Sequence, residues 1–237
     1  MKKINTILAA VSALLMLTVT SANSVEFKAG VSANGMAAYA NAKETLKGSG
    51  AKTGRTTNEE AVVASTFTSI FAELSSENMM GLGIGVSYAP DLVDLNKETR
   101  HIANETIVSG NGNDADGGVQ IADAKINDFI SVYLTLPVGD GGAYVKAGYI
   151  QATMVTEENL ATGSKYADID MTGTQIGGGY EGSLGDSGAF WRAEGTYQVW
   201  EDLRADGSES DGDDTTKNKI AAEIGSVMGS LSVGMKF

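Results

Sequence analysis

The 237-residue chain has no Cys, two Pro and one His, and after residue 24 it has no apolar run approaching the length of a membrane helix. Each shortage excludes something. Without Cys there is neither a disulfide framework nor a thiolate metal site. A helix that crosses a bilayer needs about 20 apolar residues, so any membrane residence beyond residue 24 has to come from strands. Basic residues are also few: 17 Lys and Arg stand against 30 Asp and Glu, a formal charge of −13. That balance excludes nucleic acid as a partner, because phosphate binding needs a basic face.

What is present begins with an export signal. Lys2 and Lys3 form a basic start, residues 4–19 are apolar, and Thr20-Ser21-Ala22 or Ala22-Asn23-Ser24 supplies a small-residue cleavage site. The predicted division is a signal peptide over 1–24, cut after Ala22 or Ser24, and one domain over 25–237. Loss of Lys2 and Lys3 would take the charge to −13 − 2 = −15. No Cys follows the signal, which excludes a lipoprotein anchor.

The rest of the chain alternates with a period of two, the mark of a strand with unlike faces. The last stretch shows it best. Val227, Gly229, Leu231, Val233, Met235 and Phe237 share one parity; Ser226, Met228, Ser230, Ser232, Gly234 and Lys236 share the other. Residues 25–42 repeat the pattern, with Val25, Phe27, Ala29 and Val31 opposed to Glu26, Lys28, Gly30 and Ser32. Further strands are predicted within 61–74, 81–88, 119–138, 143–156, 166–184 and 189–202. In 61–74 both parities are partly apolar, and the outward face stays open.

Connections alternate too. Residues 75–78, 139–142 and 185–188 are short turns, whereas 43–60, 89–118, 157–165 and 203–217 are longer and polar. Short turns at one rim and long loops at the other describe an antiparallel up-and-down barrel, and an even strand number puts both ends of the domain at the short-turn rim. Gly, Ser and Thr crowd the polar parity, as a narrow interior demands. Tyr39, Tyr88, Tyr149, Tyr180, Trp191, Tyr197 and Phe237 mostly fall near strand ends, where interfacial girdles lie. The predicted fold is therefore all-β, an eight-stranded antiparallel up-and-down transmembrane β-barrel with its apolar parity toward lipid. A soluble lipocalin-type barrel would turn that parity inward.

By its terminal aromatic strand and its alternating connections the chain resembles the small Gram-negative outer-membrane β-barrel proteins of OmpA/OmpX type. The resemblance implies an outer-membrane location and a monomer. It implies outer-membrane lipid, lipopolysaccharide and the barrel assembly machinery as partners. It also makes Leu231, Val233, Met235 and Phe237 an assembly signal. On the polar parity the charged residues are Glu26, Lys28, Lys146, Glu181, Arg192, Glu194 and Lys236, four cations against three anions. Buried ions persist only when paired, so these residues are expected to form an ion-pair network inside the lumen.

Little points to chemistry. The single His101 falls in the long 89–118 connection, away from any predicted strand that could fix it as a base. Acidic runs at 111–117 and 206–214 do not match the twelve-residue calcium loop. The glycines around 177–179 and 81–83 precede no helix that could hold phosphate. No enzyme activity, cofactor or metal is expected. A structural or surface-interaction role with four polar loops follows, the alternative being a porin-like channel for small solutes. Glu223 breaks the terminal pattern by sitting on the apolar parity; it is expected above the hydrocarbon or beyond a bulge.

Overall fold

A computed structural model of the chain describes residues 25–46, 55–76, 80–102, 118–159, 167–207 and 219–237. The predicted signal segment, the run at 111–117 and residues 208–214 lie outside the described residues. Nine strand segments follow one another: β1 Val25–Leu46, β2 Arg55–Ser76, β3 Leu82–Ile102, β4 Gly118–Pro137, β5 Ala143–Asn159, β6 Ile169–Ser183, β7 Ala189–Trp200, β8 Leu203–Asp206 and β9 Lys219–Lys236. From β1 to β7 each pairs antiparallel with the next, and β1 pairs with β9 along Lys28–Lys236 to Thr45–Lys219, closing the sheet on itself. Both β7 and β8 pair with the same edge of β9. Between the pairs Val199–Gly225 and Leu203–Ala222, four steps on one strand face three on the other, so a bulge joins β7 and β8 into one wall. The barrel thus has eight walls, 9 − 1.

The two hairpins β4–β5 and β6–β7 turn in the same way. Val138 N–H donates to Ala143 O at 2.8 Å, and Leu184 N–H donates to Ala189 O at 2.7 Å. Each turn needs a left-handed residue at both ends, supplied by Gly139 and Gly142 in one and by Gly185 and Gly188 in the other. Phe27 and Phe237 exchange backbone hydrogen bonds of 3.3 and 2.8 Å, so the first and last strands meet at the same rim as these turns.

Several strands run further than the sequence pattern suggested. β1 continues to Leu46, β2 starts at Arg55, and β8 lies inside the stretch read as an acidic loop. The largest correction is at 89–118, where β3 continues to Ile102 with shifts of register between Asp91 and Val93 and between Leu95 and Glu98. His101 is therefore in a strand, paired with Val119. Pro90 is accommodated because the β2–β3 ladder has ended at Ile70–Tyr88 and Ala89–Phe129 and Asp91–Asn127 pair on either side of it.

These extensions look like loops in the sequence because the two faces of the strands exchange character part-way up. On β9, Val227, Leu231, Val233 and Met235 point outward, while Ser226, Ser230 and Ser232 are buried within. Further up the same strand the exposed residues are Lys219, Ala221 and Glu223, and the inward Ala222 and Ile224 pack on the core. β1 repeats the change. Val31 and Tyr39 give way outside to Asn41 and Lys43, and Ser32 and Asn34 give way inside to Met36 and Ala38. The barrel is polar inside and apolar outside near the short turns, and the reverse near the long loops.

Candidate functional site: the filled lumen

The lumen is filled in layers, beginning at the short-turn rim with charge. The Arg192 guanidinium, buried with its residue at 2% exposure, donates from Nη1 and Nη2 to the two oxygens of Glu73 at 2.9 and 3.2 Å. Its Nη2 and Nε also reach Glu181 Oε2 at 2.7 and 3.3 Å. Glu181 accepts in turn from Lys236 at 2.6 Å and Lys28 at 3.1 Å. Lys28 lies 3.3 Å from Glu26 and 3.7 Å from Glu73. One level higher, Lys146 donates to Glu194 at 3.0 Å. All seven charged residues singled out in the sequence line this space, and each has a partner of opposite sign.

Glu73 was missed, and it completes the set: four cations now face 3 + 1 = 4 carboxylates. Its strand β2 hid it, because the inward face there also carries Phe67 and Phe71 and so reads as apolar on both parities. The exposed Val62 and Ile70 fix the outward parity of β2 as the even one. One signal was legible: a buried set with four cations and three anions is one carboxylate short of neutral.

Rings wrap the charges. The guanidinium carbon of Arg192 lies 5.2, 5.3 and 5.6 Å from the ring centres of Tyr144, Phe71 and Phe190, and Lys146 Nζ is 3.9 Å from that of Tyr133. Such contacts stabilise a desolvated cation through the ring quadrupole. Each ring needs space on the neighbouring strand, and a directly paired glycine provides it. The pairs are Gly30–Phe71, Gly85–Tyr133, Gly179–Tyr144 and Gly234–Phe190. A Cβ on any of these four glycines would meet the partner ring at 2.5–2.7 Å or closer. The inward glycines are thus the complement of the inward aromatics.

Above the charges lies a hydroxyl and amide layer. Ser32 and Ser232 hydroxyls meet at 2.8 Å; Asn34 donates to Ser69 at 3.0 Å and accepts from Ser230 at 2.7 Å. A cavity of about 20 Å³ remains among Ser32, Asn34, Ser69, Tyr133, Lys146 and Phe129. That is room for about one water molecule. Higher still the filling becomes apolar. Phe129 stacks edge-on against Phe67 and tilted against Trp200, both with ring centres 6.3 Å apart, beside Met36, Ile150 and Met171.

The residues of the terminal pattern lie on the outer surface. Leu231, Val233, Met235 and Phe237 are 67%, 54%, 39% and 73% exposed, and the Phe237 ring tilts against Phe27 at 5.8 Å. Of the other aromatics assigned to the girdles, Tyr39, Tyr149, Tyr180, Trp191 and Tyr197 also face out. Tyr88 instead donates its hydroxyl to Asp128 at 2.8 Å. The side chain of His101 lies outside the described residues. Among the described residues no group of three or more His, Cys, Asp or Glu is placed to hold a metal ion.

No family model matches the chain, and no curated protein matches it in sequence. Solved structures resemble it in fold. The outer membrane protein OprG from Pseudomonas aeruginosa is 12% identical, with a TM-score of 0.47 over 90% of this chain and 96% of its own. The outer membrane protease OmpT from Escherichia coli is 11% identical, with a TM-score of 0.47 over 90% and 97%. Neisserial surface protein A is 13% identical, with a TM-score of 0.37 over 86% and 97%. The closed eight-stranded wall, apolar outside and polar within near the short turns, is the architecture of the small outer-membrane β-barrels.

Proposed function

We propose that the chain is an integral, monomeric outer-membrane protein with a structural or surface-interaction role, exported by its signal peptide and without enzyme activity. The observation that carries this reading is the filling of the lumen. Four cations and four carboxylates pair across it, rings occupy the space between them, and an apolar layer lies above. A lumen packed in this way resists solute flow, and its contribution is to rigidity: breaking one buried pair costs about 3–5 kcal/mol. The working surface is then the loop-end extension, whose exposed residues are mostly polar or charged. In this reading Leu231, Val233, Met235 and Phe237 present the assembly machinery with an apolar edge ending in an aromatic ring. Outer-membrane lipid and lipopolysaccharide surround the wall.

Single-channel recording in planar bilayers tests the reading. A silent trace from protein that shows heat-modifiable migration is expected. Stable, sizeable openings would instead make the protein a porin-like channel for small solutes. Removal of Phe237 is expected to lower the fraction of protein assembled in the membrane; an unchanged fraction would remove the residue from the assembly signal.

A further inference from the structure

The lumen has two distinct fillings in series, and only one of them is hostile to an ion. In the lower filling the rings of Phe71, Tyr133, Tyr144 and Phe190 are interleaved with charged and hydroxyl groups, which also line part of the small cavity. Such groups can replace parts of an ion's hydration shell, so a rearrangement of side chains is enough to let one pass. In the upper filling Phe129 is 2% exposed and bridges Phe67 of β2 to Trp200 of β7, joining three separate walls across the bore. An apolar constriction offers an ion nothing in exchange for its water and excludes it by dewetting.

The backbone is bent to put Phe129 there. Between Asn127 and Ile130 the β4–β5 register shifts, and Asp128 takes a left-handed φ of 56°. Asp tolerates that conformation better than most residues, and the Tyr88 hydroxyl holds its carboxylate at 2.8 Å. Below the bulge the buried residues of β4 include the odd positions Phe129, Ser131, Tyr133 and Thr135; above it Ile126 is buried. Without the extra residue, the alternation would turn Asn127 and Lys125 toward the bore in place of Ile126. The bulge therefore keeps Asn127 and Lys125 out of the layer around Phe129.

We propose that the aromatic bar Phe67–Phe129–Trp200, with Phe129 at its centre, is the ion seal of this barrel, and that the ion-pair network beneath it is not. This rests on the reading of the wild-type lumen as closed. Tyr88 and Asp128 act as positioning residues for the seal.

The test is planar-bilayer conductance of full-length, refolded protein with potassium chloride as the probe. Phe129→Ser is expected to show stable openings absent from wild type. Phe129→Leu, which keeps the layer apolar, is expected to stay silent. So is the double variant Lys146→Met with Glu194→Gln, which removes an ion pair without leaving a lone charge. A folded, silent Phe129→Ser, or openings in the Lys146→Met, Glu194→Gln protein, would overturn the proposal. If Phe129→Ser fails to show heat-modifiable migration, Trp200→Ser takes its place with the same two readings. Openings in the wild type would defeat the closed-lumen reading instead. The seal would then be judged by whether Phe129→Ser raises conductance above that baseline.

Discussion

Leu231 and Glu223 lie on the same outward face of β9, eight positions apart, yet they stand in different solvents. Around Leu231 the exterior is Val227, Val233, Val31 and Tyr197, all large, apolar and exposed. Around Glu223 it is Lys219, Ala221, Asn41 and Lys43. The interior changes in the opposite sense, from buried serines, Arg192 and Lys146 to Met36, Ile224 and Trp200. A strand in lipid keeps its polar side for the lumen, and a strand in water keeps its apolar side there. The exchange of faces is therefore a physical marker of where the hydrocarbon ends. At about 3.3 Å per residue and a tilt near 40°, the eight positions separate the two residues by about 20 Å along the barrel axis.

The comparison can be broken most forcefully from the inside. Arg192→Ala leaves Glu73 and part of Glu181 buried without their principal partner, and should cost about 3–5 kcal/mol in urea unfolding from bilayers. A loss below about 1 kcal/mol would mean that the charged layer is hydrated and not a packed core. Outside, Leu231→Lys should cost about 2–4 kcal/mol, while Ala221→Lys, on the same strand face but above the exchange, should cost no more than about 1 kcal/mol. Equal costs would erase the boundary drawn here. Glycines sharpen the contrast between the two faces. A Cβ at Gly30 would meet Val233 O at 2.3 Å and the Phe71 ring at 2.7 Å, whereas at Gly35 it would meet nothing within 4 Å. Gly30→Ala should therefore destabilise by about 1–3 kcal/mol and Gly35→Ala hardly at all, read from the same unfolding curves. The smallest effect belongs to the loop end. Lys219 and Asp206 lie 3.5 Å apart but are more than half exposed, and Lys219→Ala should change stability by less than about 1 kcal/mol.

Much of the fold was legible because period-two alternation is a local property. The closing strand, its partner β1 and the alternation of short and long connections could all be read from residue order. The extensions were not legible, for a reason the structure makes plain. Beyond Ala42 on β1 and before Ala61 on β2 the outward residues, Lys43, Asn58 and Glu60 among them, look like loop residues, whereas Asn41 and Glu223 fell inside the predicted strands. The charged lumen residues were legible on β1, β6 and β9, where the inward companions are mostly small or polar. They were legible on β5 and β7 because the outward parity there is mostly apolar or Gly, although Tyr144, Ile150 and Phe190 also point inward. Glu73 was not, because its inward companions Phe67 and Phe71 mask the parity of β2. The bulge at Asp128 left no sign either; it depends on the pairing register with β5, the other arm of the hairpin.

Because the chain contains no Cys, single cysteines can be placed one at a time along β9 without background. Labelling of each variant in bilayers, from position 219 to 237, by a water-soluble maleimide and by a lipid-soluble probe measures the solvent at every outward residue directly. Odd positions 227–235 should react only with the lipid-soluble probe, and 219–223 only with the water-soluble one. The buried even positions 226, 230 and 232 should be protected from both. Water-soluble labelling that runs unbroken down the odd positions past Leu231 would contradict the account, for the apolar parity would then not face lipid.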